Sequence, residues 1–501
     1  MSTTKSSQAP TSQRPRPAKK ENAPSVKASP KKIDMSPFIT SEGNIYCVTN
    51  IPEEYLAVLF AKVSRSPKSF REELERALTE EAELLLTNVP VFTGLSEKAK
   101  AFHEKWTVGY GHSSVAELAT VNLCLEKVSR LATEQFELGS NFLSLTEFSQ
   151  RYQKPTLGSW HNPGEGKLHE KFEDYFSRLF KVYEELVTKL TAYHIENGMQ
   201  KNAAEKIAFE DARYVLPLAT YSQLGAKVNA RALADVLRNM KASTHKEIND
   251  IADRIHEEST KVLPTLIRHV EPSDYMKQYY QDQTVVPVQH SPLSAPNAYF
   301  LSMPSARTVS HEFTESRILR NNASPQQTVT ATMRDMNHLD RKSQMLSFFE
   351  AMGPHDMMGA YGESMKFKAA FTISEACWHQ LLRHNRGMTF NQSKPSTKLG
   401  FVTPPAIKMA GLNDLYQQAA LLAEVFSESL QVEAPEHMSY AVLNMHTRVV
   451  TSVLDMNQLF HLINLRTSEE AQWEIRDVFE QLHKDFAREH EGLAAFAKRR
   501  K

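Results

Sequence analysis

Two arginines and a histidine lie within four positions of one another in the segment CWHQLLRHNRGMTFNQS, residues 377–393: Arg383, His384 and Arg386. An arginine side chain suits a phosphate or carboxylate because its planar guanidinium donates two charge-assisted hydrogen bonds at once. Basic residues at a helix end also complement the negative end of the helix dipole, which is the alternative explanation. Gln380 before the cluster and Asn391 after it favour a binding site for an anion.

A related segment, LATEQFELGSNFLSLTEFSQRY at residues 131–152, lies 245 positions earlier and has no such basic cluster. It carries a different polar set near its end, namely Glu147, Ser149 and Arg151. The similarity of the two segments indicates an internal repeat. A repeat of this kind predicts that the fold consists of copies of one structural unit.

A predicted strand precedes each of the two segments. Apolar and polar residues alternate over 121–127 and 366–373, which is typical of a strand with one face towards solvent. Each strand ends at a serine that can cap a following helix, Ser129 or Ser374. The segments VNARALADVLRNMK and LDMNQLFHLINLR then resemble each other further along. The sequence therefore predicts an α+β fold built from two copies of one unit.

The second copy contains a further signal for the start of a helix. Thr467 and Glu470 have the spacing of a capping box, in which each side chain bonds a backbone N–H of the other residue. Apolar residues at helical spacing follow in AQWEIRDVFEQLHKDF. We expect the capping box to precede this helix.

The repeat divides the chain into four parts. We predict a disordered basic tail over 1–36, a first unit over 37–270, a Pro- and Ser-rich connection over 271–304, and a second unit over 305–495. The tail holds eight Lys or Arg and two Asp or Glu, and it has too few apolar residues to form a core. It either keeps the chain soluble or contacts a polyanion such as nucleic acid, and we favour the first.

The overall composition is that of a globular protein, with 501 residues of which 41% are hydrophobic and 24% charged. The sequence shows no run of 18 apolar residues and no secretory signal, so we expect a cytoplasmic protein. Cys47, Cys124 and Cys377 lie far apart, which argues against a disulfide framework or a zinc site. We expect buried cysteines rather than nucleophiles, and no metal site. The lack of a GxGxxG motif disfavours a Rossmann-type flavin domain.

These motifs in combination resemble the flavin-dependent thymidylate synthase family, ThyX. The first unit keeps GHSSVAEL with His112 and Glu117, and it keeps TEFSQRY, the second half of the family signature. It also keeps ARYVLP with Arg213 and NARAL with Asn229 and Arg231. It has lost the Arg-His-Arg motif and reads QFELG there.

The second unit shows the opposite pattern. It keeps QLLRHNR, which carries Asn385 as an extra residue, and NLRTSEEAQWEIR with Arg466, preceded by His461. It reads QSKPS where the family has Ser-x-Arg-Tyr, and Tyr440 lies near the position of the lost arginine in MSYAVL. The losses in the two units are thus complementary.

The resemblance implies a fold and an assembly. Each unit is expected to pack helices on an antiparallel sheet, and the tandem units are expected to form a pseudo-dimer. Active sites of the family lie between subunits of a homotetramer, so a homodimer of this chain would form a pseudo-tetramer. From the complementary losses we infer that the fused pair keeps one composite site, to which both units contribute.

The resemblance also implies the ligands of that site. Residues matching the family's positions for the substrate dUMP are Gln380, Arg383, Glu147, Ser149, Arg151, Arg213 and Arg466. Those expected to act in catalysis are Arg383, Arg466, Ser149 and Arg151. Those expected to bind FAD are His112, Glu117, Arg383, His384, Arg386, Asn391, Asn229, Arg231 and His461.

The expected reaction is methylation of dUMP to dTMP with methylenetetrahydrofolate as the carbon source, reduced FAD, and NADPH as the reductant. The departures from the family motifs leave two alternatives open. One is alkylation of another pyrimidine nucleotide with the same flavin chemistry. The other is a protein that binds flavin or nucleotide without turnover. We expect small-molecule partners, with neither a membrane nor nucleic acid among them.

Overall fold

The computed structural model describes residues 34–51, 53–63, 66–80, 113–282, 295–322, 325–353 and 356–497. Two four-stranded antiparallel sheets organise this part of the chain, with orders β1-β2-β4-β3 and β5-β6-β8-β7. The first consists of β1 (Ile45–Val48), β2 (Thr120–Ser129), β3 (Leu143–Glu147) and β4 (Tyr221–Asn229). The second consists of β5 (Asn297–Ser302), β6 (Lys366–Ser374), β7 (Met388–Gln392) and β8 (Thr447–Asp455). The identical order confirms the predicted α+β duplication.

The helices described in the first half precede, link or follow its strands. They are α1 (Glu53–Val63), α2 (Phe70–Glu80), α3 (Arg130–Leu138), α4 (Gly166–Glu196), α5 (Lys201–Ala212), α6 (Ala230–Lys241), α7 (Lys246–Val262) and α8 (Asp274–Gln281). Short 3₁₀ helices cover Ser113–Glu117 and Arg213–Val215.

The second half repeats this arrangement of long helices around its sheet. Its helices are α9 (Ala306–Asn322), α10 (Gln326–Asp335), α11 (His338–Phe349), α12 (Ala360–Ser364), α13 (Glu375–Leu381), α14 (Pro405–Met409), α15 (Asn413–Glu433), α16 (Met438–Ala441), α17 (Met456–Arg466), α18 (Trp473–Glu489) and α19 (Glu491–Ala494). Short 3₁₀ helices cover Leu382–His384 and Pro435–His437.

Each central strand passes directly into a helix at a capping serine, as predicted. The Ser129 hydroxyl accepts a hydrogen bond from the N–H of Ala132, and the Ser374 hydroxyl accepts one from Cys377, both at 3.0 Å. These bonds satisfy N–H groups that have no partner within the helix. The predicted solvent-facing side of β6 is wrong beyond its first residues, because Ala370 and Thr372 are buried while Lys366 and Lys368 are exposed.

The predicted capping box is also wrong. Helix α18 begins after Gln472, whose side chain accepts hydrogen bonds from the N–H groups of Glu474 and Ile475. Thr467 instead follows the end of α17 and donates its hydroxyl to the carbonyl of Ile463 at 2.7 Å. The Thr-x-x-Glu pattern therefore marks the end of one helix rather than the start of the next.

An approximate twofold relation joins the two halves. Pro217 pairs with Leu443 in an isolated antiparallel bridge, and the Leu218 N–H donates to the Val442 carbonyl at 2.8 Å. Helices α4 and α15 pack against each other beside this bridge, where the rings of Tyr175 and Phe426 stack 4.2 Å apart. The halves thus form the expected pseudo-dimer within one chain.

The cysteines, the helices and the predicted connection complete the description of the fold. Cys47, Cys124 and Cys377 are buried and unbridged, as expected. Among the described helices, none combines the length and apolar character that crossing a bilayer requires. The predicted connection over 271–304 contains helix α8 and strand β5, so it is more structured than its composition indicated. Most of the predicted tail, residues 1–33, lies outside the described residues.

A composite candidate active site

A cavity of about 170 Å³ lies between the two halves, and we call it the composite pocket. It is lined from the first half by Arg130, Glu147, Phe148, Ser149, Gln150, Arg151, Tyr152 and Arg213, and from the second half by His379, Gln380, Arg383 and Arg466. All seven residues predicted for the substrate are in this lining. The structure therefore brings together side chains whose positions in the chain differ by more than 300 residues.

The pocket residues sit at the ends of regular elements. Glu147 ends β3, and the turn that follows it carries Ser149 and Arg151. Arg213 lies in the 3₁₀ turn after α5, and Arg383 lies in the 3₁₀ turn after α13. Arg466 is the last residue of α17. Element ends project side chains into a cavity while the sheets and helices behind them fix the backbone.

Two buried carboxylates from the first half hold Arg383. Its Nη1 lies 2.7 Å from Oε1 of Glu137, and its Nη2 forms an ion pair with Glu147. Thr133 and Ser222 donate hydroxyl hydrogen bonds of 2.7 Å to Glu147. Burial raises the pKa of the Glu137 carboxyl, and the positive charge of Arg383 opposes that rise. Arg383 is therefore oriented by the other half of the molecule.

Sequence reasoning missed Glu137, although it lies in the QFELG segment that replaces Arg-His-Arg in the first half. Asn385, recognised only as an extra residue, donates from Nδ2 to the Glu137 carbonyl at 3.0 Å. The signal available in the sequence is Glu137 itself, an acidic residue in place of an apolar one in the segment that has lost the arginine motif. The QFELG segment of the first half thus supports the intact QLLRHNR motif of the second half.

Arg151 and Arg213 are held differently. Arg151 forms an ion pair with Glu210 and donates from Nη2 to the carbonyl of Glu470 in the second half at 3.1 Å. Arg213 donates from Nε to the Glu210 carbonyl at 3.2 Å, but its buried Nη2 has no hydrogen-bond partner. Burial lowers the pKa of Arg213, and among the described residues no carboxylate lies within ion-pair distance of it.

Arg466 is positioned by a neutral histidine. The Nε2 atom of His384 accepts from Nε of Arg466 at 2.9 Å, which requires an unprotonated nitrogen. Burial, with the charge of Arg466, lowers the pKa of His384 well below its usual range. Burial also lowers the pKa of Arg466 to about 10, at which it remains cationic at neutral pH. Arg466 further donates to the Gln380 carbonyl at 3.2 Å.

The charges around the pocket do not cancel. Five arginines are involved: Arg130, Arg151, Arg213, Arg383 and Arg466. Three carboxylates pair with or approach them: Glu137, Glu147 and Glu210. Among these residues the arginines outnumber the carboxylates, and the resulting positive charge suits an anion such as a phosphate monoester, which carries close to two negative charges at neutral pH. The arrangement can therefore bind a phosphate dianion and hold a polar ring beside it.

The predicted flavin residues fall into separate groups. His384 and His461 lie near Arg466, with ring centroids 6.0 Å apart. Arg386 and Asn391 follow in the chain with exposed side chains.

The remaining flavin candidates lie at the other end of the first sheet. Asn229 caps α6, and Arg231 pairs with Glu117 at 2.6 Å. Leu224 of β4 pairs with Glu147 of the composite pocket, and Asn229 lies five residues further along β4. At the rise per residue of a strand, Asn229 and its neighbours are therefore about 17 Å from Glu147. His112 lies outside the described residues.

A buried polar cluster lies beside the pocket and was also missed. Glu134, Glu375 and His379 are close enough to share a cation. The guanidinium of Arg448 already bridges the two carboxylates, with contacts of 2.7 Å to Glu134 and 3.0 Å to Glu375. This cluster therefore has an internal positive charge and joins the two halves. The prediction that the protein binds no metal stays a prediction.

Comparisons with known proteins agree on the family. The family model described as "Thymidylate synthase complementing protein", Thy1, matches twice, over residues 48–265 and 306–490. A flavin-dependent thymidylate synthase of Clostridium tetani is 30% identical over 192 residues, which cover 36% of this chain and 77% of that protein. A UPF0159 protein of Thermoplasma acidophilum is 20% identical over 465 residues, covering 81% of this chain and 90% of that protein.

Two solved structures are also similar to part of the chain. The Helicobacter pylori flavin-dependent thymidylate synthase ThyX complexed with FAD and dUMP has a TM-score of 0.29 at 14% identity, covering 39% of this chain and 97% of that one. The UMP/dUMP methylase PolB of Streptomyces cacaoi has a TM-score of 0.33 at 14% identity, covering 41% and 97%. The two matched regions of the family model span most of the sequence. The chain therefore belongs to the Thy1, or ThyX, family and carries its domain as a tandem duplication.

Proposed function

We propose that the protein is a flavin-dependent thymidylate synthase, which converts dUMP to dTMP with methylenetetrahydrofolate and reduced FAD. The observation that carries this proposal is the convergence of Arg151 and Arg213 from one half with Arg383 and Arg466 from the other in a single cavity. Membership of the family supplies the reaction class. The excess positive charge of the cavity supports a phosphorylated substrate.

Within this proposal, the phosphate binds where positive charge is least compensated. Arg213 has a buried Nη2 without a partner, and Arg466 is opposed only by a neutral imidazole in the contacts described above. Both can therefore direct free N–H donors at an anion without first breaking an ion pair. The Ser149 hydroxyl lines the same cavity and can add a further hydrogen bond.

Arg383 is suited to a second role, at the pyrimidine ring. Its guanidinium is fixed by Glu137 and Glu147, so its orientation is set before the substrate binds. A preorganised cation next to a carbonyl stabilises negative charge that develops on that carbonyl during the reaction. We therefore assign Arg383 to polarisation of uracil and the remaining arginines mainly to the phosphate.

The residues next to the pocket fit a flavin. Arg386 and Asn391 present an exposed cation and an amide, and His461 adds a ring nitrogen close to His384. A nearby arginine favours the negative charge of a reduced isoalloxazine. Bound FAD would supply the two electrons of the reaction. We propose NADPH as its reductant, the cytoplasm as the location, and a homodimer as the assembled form.

The test is growth of a thymidine-requiring bacterial strain that expresses the full chain. We expect rescue by the wild type and loss of rescue with Arg383→Ala or Arg151→Ala. Lys394→Ala is the matched control, because Lys394 stands in the QSKPS segment and is absent from the pocket lining. The purified protein should be yellow. Loss of rescue with Lys394→Ala would contradict the assignment of the pocket.

Assays with purified protein separate the alternatives. Turnover of dUMP but not UMP supports the proposal, whereas turnover of UMP alone would assign another pyrimidine nucleotide. Flavin binding without product from either nucleotide would identify a binding protein. Each outcome is read from product formation, with the flavin spectrum as a check that the protein is loaded.

A further inference from the structure

The approximate twofold relation creates a second position that corresponds to the composite pocket. The register of the sheets defines it, because Gln392 pairs with Val450 as Glu147 pairs with Leu224. The same spacing within each half gives the counterparts of three of the five pocket arginines: Leu138 for Arg383, Ser396 for Arg151 and Ser439 for Arg213. Three cations of the composite pocket are thus replaced by uncharged residues at the second position.

The segment between the two halves makes contacts at this second position. The Gln135 side chain, counterpart of Gln380, donates from Nε2 to the Tyr280 hydroxyl at 3.1 Å. Tyr280, on helix α8, donates in turn to Oδ1 of Asn239 at 3.0 Å. Asn239 lies near the end of α6, the helix that corresponds to the one bearing Arg466.

A second contact anchors the end of the same segment. Lys394 is the counterpart of Ser149, and its Nζ donates to the backbone carbonyl of Asp282 at 3.1 Å. In the composite pocket the corresponding residues, Gln380 and Ser149, line the cavity. Gln380 donates to the Gln472 side chain and the Ala376 carbonyl, both at 3.3 Å, and Ser149 accepts from the Arg151 N–H at 3.3 Å. At the second position their counterparts, Gln135 and Lys394, bond instead to the segment that links the two halves.

We propose that residues 274–282 act as an internal ligand which closes the second position, so that the chain binds one nucleotide rather than two. This inference rests on the proposed function in treating the composite pocket as a nucleotide site. The Tyr280 hydroxyl both accepts and donates, so it satisfies an amide on each side of the position. A polar group that would otherwise need water or substrate is thereby paired within the protein.

The first experiment removes only the hydroxyl, in Tyr280→Phe, and measures tryptic cleavage after Lys277 in the ligand-free full chain. Lys277 lies in α8, so cleavage there requires this helix to open. We expect the initial rate of cleavage to rise about five-fold, because two hydrogen bonds that hold the helix are lost. Tyr275→Phe is the matched control, since the Tyr275 side chain on the same helix is 75% exposed.

The second experiment counts dUMP bound per chain by equilibrium dialysis at saturation. We expect one in the wild type and one in Tyr280→Phe, because opening the second position restores no arginine. Two nucleotides per wild-type chain would overturn the inference, as would equal cleavage rates in Tyr280→Phe and Tyr275→Phe. If no dUMP binds, the proposed function fails, and the cleavage rates alone still decide whether the segment closes the position.

Discussion

Arg213 is predicted to destabilise the ligand-free protein while it strengthens nucleotide binding. The Arg213 residue is only 4% exposed, and its Nη2 atom has no hydrogen-bond partner. Burial also lowers the pKa of its guanidinium. Replacement of a buried ion pair by apolar side chains of similar volume increases stability by on the order of 1–4 kcal/mol in favourable cases, because the cost of taking the charges out of water is avoided. Arg213 has no ion-pair partner among the described residues, so its replacement avoids that cost without leaving a carboxylate unpaired. We therefore expect Arg213→Met to raise the free energy of unfolding by an amount within that range.

The same substitution removes donors to the phosphate. A hydrogen bond to a charged group contributes about 1.5–3 kcal/mol. We therefore expect the Kd for dUMP to rise roughly 10- to 150-fold. Urea unfolding of the ligand-free chain measures the first effect, and isothermal titration calorimetry measures the second.

Arg178→Met is the control for the Arg213 variant. Arg178 is an exposed arginine on α4 of the same half, 3.6 Å from Asp174, and it is absent from the pocket lining. We expect this variant to change neither stability nor Kd by a measurable amount. A ligand-free Arg213→Met protein that is less stable than the wild type would refute the reasoning. So would an unchanged Kd for dUMP.

Three further predictions concern the interface between the halves. Arg383→Ala should lower the free energy of unfolding by about 3–5 kcal/mol, because it leaves buried carboxylates without their cation, and adding Glu137→Gln should recover part of the loss in urea unfolding. Burial lowers the pKa of His446 to about 4, below the value near 6.5 in the unfolded chain. The neutral His446 side chain therefore contributes its full stabilisation of the folded state above pH 6.5, and this stabilisation is lost as the pH falls towards 4. The loss approaches about 3 kcal/mol, and His446→Asn should flatten the dependence of melting temperature on pH in this range. Tyr214→Phe removes a donor from the fully buried Glu474 carboxylate and should cost about 1–2 kcal/mol in urea unfolding, and an unchanged midpoint would contradict that role of the hydroxyl.

Local patterns in the sequence predicted the central strands and the helices that follow them, whereas the family resemblance predicted most of the pocket. The serines at the ends of the central strands cap helices as expected, because capping depends on residues only three positions apart. The complementary loss of motifs predicted that Arg151 and Arg383 meet. That expectation needed the family resemblance, since no local rule relates residues so far apart in the chain.

The contacts that the sequence did not reveal are those that form between the halves. Glu137 reads as an ordinary helical residue until the fold places it against Arg383. Thr467 and Glu470 have the spacing of a helix start, yet the preceding helix α17 uses Thr467 at its own end. Strand β5 lies within the predicted connection, whose Pro-rich composition resembles that of a linker. Each failure arises where tertiary packing decides between two local alternatives.

The asymmetric decay of the two positions follows from the different costs of their residues. A Ser–Glu–Tyr bridge between strand end and opposite half is present twice: Ser129 with Glu247 and Tyr440, and Ser374 with Glu474 and Tyr214. These bridges satisfy buried polar groups in the ligand-free protein, so loss of either one destabilises the pseudo-dimer. The arginines of the composite pocket have the opposite effect, because they repel one another until an anion binds. Loss of those arginines from one position therefore relieves repulsion, while loss from both would remove the binding site. A fused pair that keeps both bridges but the full arginine cluster at only one position is the arrangement that these costs favour.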